Sequence, residues 1–357
     1  MGGVAPGSVD LVVTSPPYPM IEMWDTSFAK LDPEIESLLQ SSAGVAAFQK
    51  MHAILDKVWS SCVKVLREGG ILCVNIGDAT RTIGGNFCLY PNHARIAQTC
   101  LDLKLNALPT IIWRKQTNAP NKFMGSGMLP AGAYVTLEHE YVLIYRKGGK
   151  REFQSKEASE RRRCSAFFWE ERNQWFSDLW EFKGERQRLN DSDINRRSAA
   201  FPIELPSRLI AMYSIQGDTV LDPFVGTGTM TLAAIALGRN SIGFEADPGI
   251  CEHARNRIDK SWREVAPLNS ERLEGHLRFV ADCMVSGKAL SHQNERHGFP
   301  VMTQQEVDLQ LSIPTDLVPK GGRGFKATHR VLPPQSTQFP TVGIGRVTPQ
   351  PTLKVWE

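Results

Sequence analysis

Val220-Leu221-Asp222-Pro223-Phe224-Val225-Gly226-Thr227-Gly228-Thr229 reads as a short buried strand, a turn opened by two glycines, and the first residue of a helix. Few architectures use that succession. A strand that feeds a glycine turn and then a helix N-terminus lets backbone approach a ligand closely at the carboxyl edge of a parallel sheet. Glu245 follows 17 residues past Gly228, after a second apolar run at 241–244. A carboxylate there can accept hydrogen bonds from ribose hydroxyls. A glycine pair alone marks only a turn. With Asp222, Pro223 and Phe224 before it and Glu245 after it, the segment points to cofactor binding.

The rest of the chain has the matching alternation. Met51, Ile54, Leu55, Val58, Cys62 and Val65 recur at helical spacing and predict a helix over 46–66, stopped by Gly69-Gly70. A buried strand follows at 71–76, a helix at 92–103, and β-rich runs at 108–114 and 140–146. After 201 come a helix at 205–215, a strand at 219–221, a helix at 229–237, a strand at 241–244, a helix at 250–262 and a further strand at 276–280. The expected class is α/β, a doubly wound and mostly parallel sheet covered on both faces. Past about 291 the chain is rich in Gln, Thr, Pro and Gly, and an irregular C-terminal extension is expected there.

Composition removes other classes. Hydrophobic residues make up 41% of the 357 and charged residues 22%, as in globular proteins. No apolar stretch nears the roughly 20 residues that cross a bilayer, and no charged leader precedes an apolar segment. Seven cysteines, an odd number without a CxxC pair, suit reduced thiols in a cytoplasmic protein and neither a disulfide frame nor a zinc site. No metal is expected. The net charge of +3 favours a polyanionic partner only weakly.

A second motif lies near the start. The apolar run Val9-Asp10-Leu11-Val12-Val13 leads into Thr14-Ser15-Pro16-Pro17-Tyr18. Two prolines fix φ and stiffen the corner, so the Ser15 hydroxyl and the Pro16 carbonyl point in set directions. Acceptors so placed can take both hydrogens of an exocyclic amino group, with Tyr18 as an aromatic plate beside it. Ser15 is a poor base at neutral pH, and its role is orientation and hydrogen bonding.

Together, in this order, the two motifs resemble the amino-methylating DNA methyltransferases, which modify N4 of cytosine or N6 of adenine. The resemblance covers about 9–262. It implies a Rossmann-like methyltransferase fold and S-adenosyl-L-methionine as methyl donor, with the methionine end by residues 222–228 and the ribose at Glu245. Asp222, Pro223, Phe224, Gly226, Gly228, Thr229 and Glu245 are the implied cofactor residues. Pro202, in Phe201-Pro202-Ile203-Glu204-Leu205-Pro206, belongs to a segment that helps cover the cofactor, although many relatives begin it with His. Ser15, Pro16, Pro17 and Tyr18 are the implied catalytic residues. Catalytic strands before cofactor strands match the circularly permuted group.

The implied division is a catalytic half at 1–145, a target-recognition insert at 146–200, a cofactor half at 201–290 and the extension at 291–357. The stretch 146–197 holds 14 Lys or Arg against 10 Asp or Glu, with aromatics interleaved. Arg161, Arg162, Arg163, Arg196 and Arg197 are its candidate DNA contacts. A charged subdomain with its own small aromatic core explains the composition equally well. Relatives also carry a strand ahead of the SPPY motif whose acid lies near the adenine ring, and only eight residues precede Val9. Either the reading frame is truncated, or residues 278–282 supply that strand; the second is expected, which makes Asp282 a cofactor contact.

C5-cytosine chemistry is excluded, because it needs a cysteine that typically follows a proline, and none of the seven does. Ser at the first position of the tetrapeptide resembles the N4-cytosine enzymes more than the N6-adenine enzymes. The implied partner is double-stranded DNA, with a cognate restriction endonuclease and no membrane. A catalytically silent DNA-binding homologue is the contrasting class. Methylation of RNA or of protein glutamine goes with the opposite motif order.

Overall fold

Val9, Leu11, Val12 and Val13 are buried to within 1% exposure, because β1 (Val9–Thr14) runs through the middle of the main sheet. The computed structural model describes residues 2–115, 124–184, 201–321 and 324–334.

From β1 the chain passes through α1 (Asp25–Leu31), α2 (Glu34–Gln40) and α3 (Gly44–Val65) to β2 (Leu66–Ile76). The hairpin β3 (Ala79–Ile83) and β4 (Asn86–Tyr90) precedes α4 (Asn92–Asp102). Then come β5 (Leu105–Ala107), β6 (Ile111–Arg114), a small hairpin of β7 (Met124–Gly125) and β8 (Ala133–Tyr134), and β9 (His139–Lys147). Next are α5 (Lys156–Cys164), α6 (Trp169–Trp175), β10 (Leu179–Glu181), α7 (Glu204–Tyr213), β11 (Thr219–Asp222), α8 (Thr229–Ala236), β12 (Asn240–Gly243), α9 (Pro248–Val265) and α10 (Leu268–Val285). Two hairpins close the described chain: β13 (His292–Gln293) with β14 (Pro300–Val301), and β15 (Ser312–Lys320) with β16 (Gly324–Val331).

The main sheet runs β10-β6-β9-β2-β1-β11-β12, with β5 also on β9. Pairings are parallel except at β9, which is antiparallel to β2, β5 and β6. Side chains alternate between its two faces. Val12, Leu72, Val74 and Leu221 face α3 and α4, whose Met51, Leu55, Trp59 and Ile96 are fully covered. Leu11, Val13, Cys73 and Val220 face α7 and α8, with Leu205, Leu209, Met230 and Ala233. This is the expected doubly wound α/β sheet. All seven cysteines are free thiols, and among the described residues no helix is long and apolar enough to cross a membrane.

Four expectations are corrected. Residues 278–282 form no strand: they lie in α10, where Leu273, His276, Val280 and Cys283 make the buried face at helical spacing. The extension is not irregular throughout. The β15–β16 hairpin packs Leu317, Phe325 and Ala327 over Leu232, Ile258 and Trp262. Gly69-Gly70 does not stop the helix, which ends at Val65; Gly69, at φ 76°, falls where β2 bulges against β1 between Leu66 and Ile71. The insert's aromatics do not make a core of their own. Trp175 and Trp180 are buried with Leu205 and Leu209 of the main core, and Phe182 lies stacked on Trp113 at 5.1 Å.

Candidate active site

β1 and β11 are parallel neighbours, with Leu11 opposite Val220 and Val12 opposite Leu221. Their carboxyl ends therefore lie side by side, one running into the diproline corner and the other into the glycine turn. β2 pairs with β1 on its other side, so the chain departs in opposite directions around this point. A crevice at such a reversal is where open α/β sheets bind ligands. A hydrogen bond joins the two corners: Thr14 Oγ1 donates to Asp222 Oδ1 at 2.6 Å.

Asp222 is 1% exposed, and its Oδ1 also accepts from the Phe224 amide at 3.0 Å. Burial pushes its carboxyl up to about 7, and the Thr14 bond pulls the other way. A carboxylate in that position is strongly favoured by any cation brought next to it. Gly226 and Gly228 hold φ of 51° and 82°, the left-handed region that favours glycine. At Gly228, which caps the start of α8, a Cβ would also lie 3.0 Å from Ile258 Cδ1.

Glu245 stands two residues past β12. Its Oε2 accepts from the Gly226 amide at 3.1 Å and its Oε1 from the amides of Ala246 and Asp247. A carboxylate has about four acceptor sites, so capacity remains for a hydroxyl. Arg257 Nη1 donates to the Thr227 carbonyl at 2.9 Å and to Thr229 Oγ1 at 2.9 Å. Thr229 thus braces the loop. Phe224 meets Trp59 edge-on at 6.0 Å. Pro202 is buried just ahead of α7; because α7 ends next to the start of β11, its beginning lies at the crevice edge of the sheet.

The other corner is built from several segments. Ser15 Oγ donates to Tyr18 Oη at 3.2 Å, and Tyr18 Oη donates to Glu140 Oε2 at 2.9 Å. Asn75 Nδ2 reaches both Tyr18 Oη, at 3.0 Å, and Glu140 Oε2, at 2.6 Å. Lys115 Nζ pairs with Glu140 Oε1. Burial and the Glu140 charge hold the Tyr18 hydroxyl well above the usual phenol range. Behind it, Asn92 Nδ2 ties the Pro19 carbonyl to the Gly77 carbonyl, at 3.1 and 3.0 Å. Buried His52 holds Asn92 Oδ1 at 3.0 Å, and burial lowers that imidazole to about 4.

Asp78 faces His93 Nδ1 at 2.7 Å. His93 stacks on Tyr141 at 4.0 Å, and His139 meets Tyr141 edge-on at 4.9 Å. Arg81 is held by Asp25 at 2.9 and 2.7 Å.

Ser15, Pro16, Pro17, Tyr18, Asp222, Pro223, Phe224, Gly226, Gly228 and Glu245 are thus brought to one crevice. Asn75, Lys115, Glu140 and Asn92 were missed. Their signal was a polar residue at the crevice end of an apolar strand or at a helix start, where burial is costly unless paired.

Other expected residues lie elsewhere. Asp282 is exposed on α10 and loses the strand that would have carried it to the cofactor. Arg161, Arg162 and Arg163 sit on α5, which docks at the opposite edge of the sheet: Ser165 Oγ accepts from the Gln216 amide, just ahead of β11. Arg163 pairs with Asp308 at 2.8 Å and Arg162 lies over Phe153 at 4.9 Å. The structure does not bring them to the crevice. Arg196 and Arg197 lie outside the described residues. Glu170, His276 and Glu306 are grouped closely enough for a metal, but both His276 nitrogens are engaged, by Glu170 and by the Pro300 carbonyl, as a tie between α6, α10 and the extension.

Residues 9–256 match the family model N6_N4_Mtase, described as DNA methylase. The chain is 50% identical over 309 residues to Type II methyltransferase M.MthZI of Methanothermobacter thermautotrophicus, covering 86% of each protein. It is 50% identical over 254 residues to Type II methyltransferase M.MjaI of Methanocaldococcus jannaschii, covering 68% of this chain and 82% of the relative. Among solved structures, a putative DNA modification methylase of Thermus thermophilus, TTHA0409, complexed with S-adenosyl-L-methionine, is 31% identical, with a TM-score of 0.56, over 72% of this chain and 88% of that one.

Proposed function

Because this chain belongs to the DNA methylase family of N6 and N4 methyltransferases, we propose that it methylates the exocyclic N4 of a cytosine flipped out of a specific duplex sequence. S-adenosyl-L-methionine is the methyl donor, and when bound it supplies an electrophilic sulfonium methyl. The residues present fit it. A buried carboxylate suits an ammonium, two positive-φ glycines let backbone come close, and Glu245 keeps acceptor capacity for a ribose. Asp222, Gly226, Gly228 and Glu245 would hold it, with Pro223, Phe224 and Pro202 packing around them. The order of the two corners along the chain supports membership of the circularly permuted group.

The observation that supports this reading is the Thr14–Asp222 bond at 2.6 Å, which joins the SPPY corner to the glycine turn at adjacent strand ends. Ser15 Oγ and the Pro16 carbonyl accept from the amino group, and Tyr18 offers its ring to the extruded base. Accepting both hydrogens moves electron density onto nitrogen and readies it for direct attack, so no covalent enzyme adduct is needed. Serine at the head of the tetrapeptide supports cytosine over adenine. The names of the two 50% identical relatives support a type II modification role, with a nuclease of the same specificity as the partner. Arg161, Arg162 and Arg163 are left out of the proposed DNA contacts, because α5 docks at the start of β11, away from the two corners.

The test is mass-detected chromatography of nucleosides from DNA treated with the protein and S-adenosylmethionine. N4-methylcytosine is expected. N6-methyladenine alone would overturn the choice of base, and no methylated nucleoside would favour a silent DNA-binding homologue.

A further inference from the structure

The hydroxyl of Tyr18 has more partners than a stacking plate requires. A ring that only lies against a base needs its face in place, and water could satisfy its oxygen. Here Ser15, Asn75 and Glu140 all converge on that oxygen, at 3.2, 3.0 and 2.9 Å. The direction of the chain is fixed by proton counting. A carboxylate only accepts and each hydroxyl has one proton to give. Tyr18 spends its proton on Glu140, so Ser15 spends its own on Tyr18. The Ser15 oxygen then has only lone pairs to present to the crevice, and an amino group needs an acceptor.

We propose that Glu140 is the proton sink for methyl transfer, acting through Tyr18 and Ser15; this deepens the reading above and rests on it. The amino nitrogen's lone pair forms the new N–C bond while the S–C bond breaks and its electron pair stays on sulfur. As that bond forms the nitrogen becomes cationic and its proton leaves in the same step, so the sink lowers the barrier to transfer itself. That proton passes to Ser15 Oγ, the Ser15 proton passes to Tyr18 Oη, and the Tyr18 proton passes to Glu140 Oε2. Both hydroxyls are restored, the methylated amine is neutral, and Glu140 ends as the neutral acid. An aromatic amine alkylated to its cation is a far stronger acid than a carboxylic acid, so the overall transfer runs downhill even beside Lys115. Burial keeps Tyr18 protonated between turnovers. Asn75 holds donor and acceptor in register, and the Glu140 side chain, 12% exposed, can return its proton to water. Glu140 itself touches no substrate and is a positioning residue.

Tyr18→Phe keeps the ring and removes the relay, and Glu140→Gln keeps the shape and removes the sink. Wild type first methylates plasmid DNA, and sequencing identifies its target. Single-turnover methyl transfer is then followed on a duplex bearing that site, at saturating DNA and cofactor, in H2O and D2O. Each variant should bind S-adenosylmethionine as wild type does and slow transfer by about 100-fold. The double variant should be no slower than the slower single, because both act in one chain. The wild-type solvent isotope effect should vanish in Tyr18→Phe. In an alkaline absorbance titration, with Tyr18→Phe as the blank, Glu140→Gln should move the Tyr18 ionisation down toward the ordinary phenol range. Transfer by Tyr18→Phe within about twofold of wild type, or additive losses in the double variant, would overturn the relay. A wild type that methylates no DNA would fail before any variant is compared, and would overturn the function together with the relay.

Discussion

The two corners of the crevice are made by opposite means. The cofactor corner is one contiguous loop whose working parts are backbone: positive-φ glycines, amides and a helix start, braced by Glu245 and Arg257. The amine corner is made of side chains from four separate segments, Ser15 with Tyr18, Asn75, Lys115 and Glu140. The first is sensitive to an added Cβ, and the second to a deleted polar atom, since each deletion strands a buried partner.

The sharpest way to break this contrast is Gly228→Val. A branched side chain at φ 82°, against Ile258, should abolish S-adenosylmethionine binding in calorimetry and cost about 3 kcal/mol of stability. Retained cofactor affinity would mean the loop is not backbone-built in the way described. Next is Tyr18→Ala, which loses the stacking ring and the relay hydroxyl together and should lower kcat/KM for DNA by more than the about 100-fold expected of Tyr18→Phe, with Ser15→Ala also losing turnover. Cofactor affinity should be unchanged in both. Full activity in both would remove the amine corner.

Thr14→Val sharpens the comparison where the corners touch. It leaves Asp222 Oδ1 with a single donor and should cost about 1–3 kcal/mol at pH 8, read from thermal melts. At pH 5 Asp222 carries a proton and the cost should shrink. Asp222 has a raised pKa in the folded state, so its contribution is fully present below the unfolded value and is lost as pH rises through about 7. The difference in Tm between wild type and Asp222→Asn should therefore move in favour of Asn between pH 4 and 7. His52, lowered to about 4, works the other way, losing stability as pH falls from 6.5. It is present in both proteins and drops out of the difference. A pH-independent difference would contradict the buried charge.

The smallest effect is expected at Arg161, Arg162 and Arg163. Replacing all three by Glu should leave the salt dependence of DNA binding unaltered, whereas three lost phosphate contacts would reduce its log–log slope by about 3.

The same contrast decided what could be read in advance. The strands at β1, β2, β11 and β12 and the glycine loop were legible because each is a contiguous run with its own period and punctuation. The bonds of Tyr18 to Asn75 and Glu140 were not, because partners 57 and 122 residues away meet only once β2, β9 and β1 are in register. Residues 276–280 misled because a buried helix face in a short window looks like an apolar strand. The β15–β16 hairpin was hidden by Pro314 and Pro319, which a two-stranded edge tolerates but which lower any strand reading. Arg161, Arg162 and Arg163 show that a basic cluster gives charge, not position.

Whether base and cofactor share one crevice is tested most directly with a bisubstrate. A duplex bearing the target cytosine, its N4 linked by a short carbon chain to the 5′ carbon of adenosine, should bind wild type about 100-fold or more tighter than the unmodified duplex. The gain should disappear in Gly228→Val and in Tyr18→Ala alike. A linked duplex that binds no tighter than the plain one would place the two corners in separate sites.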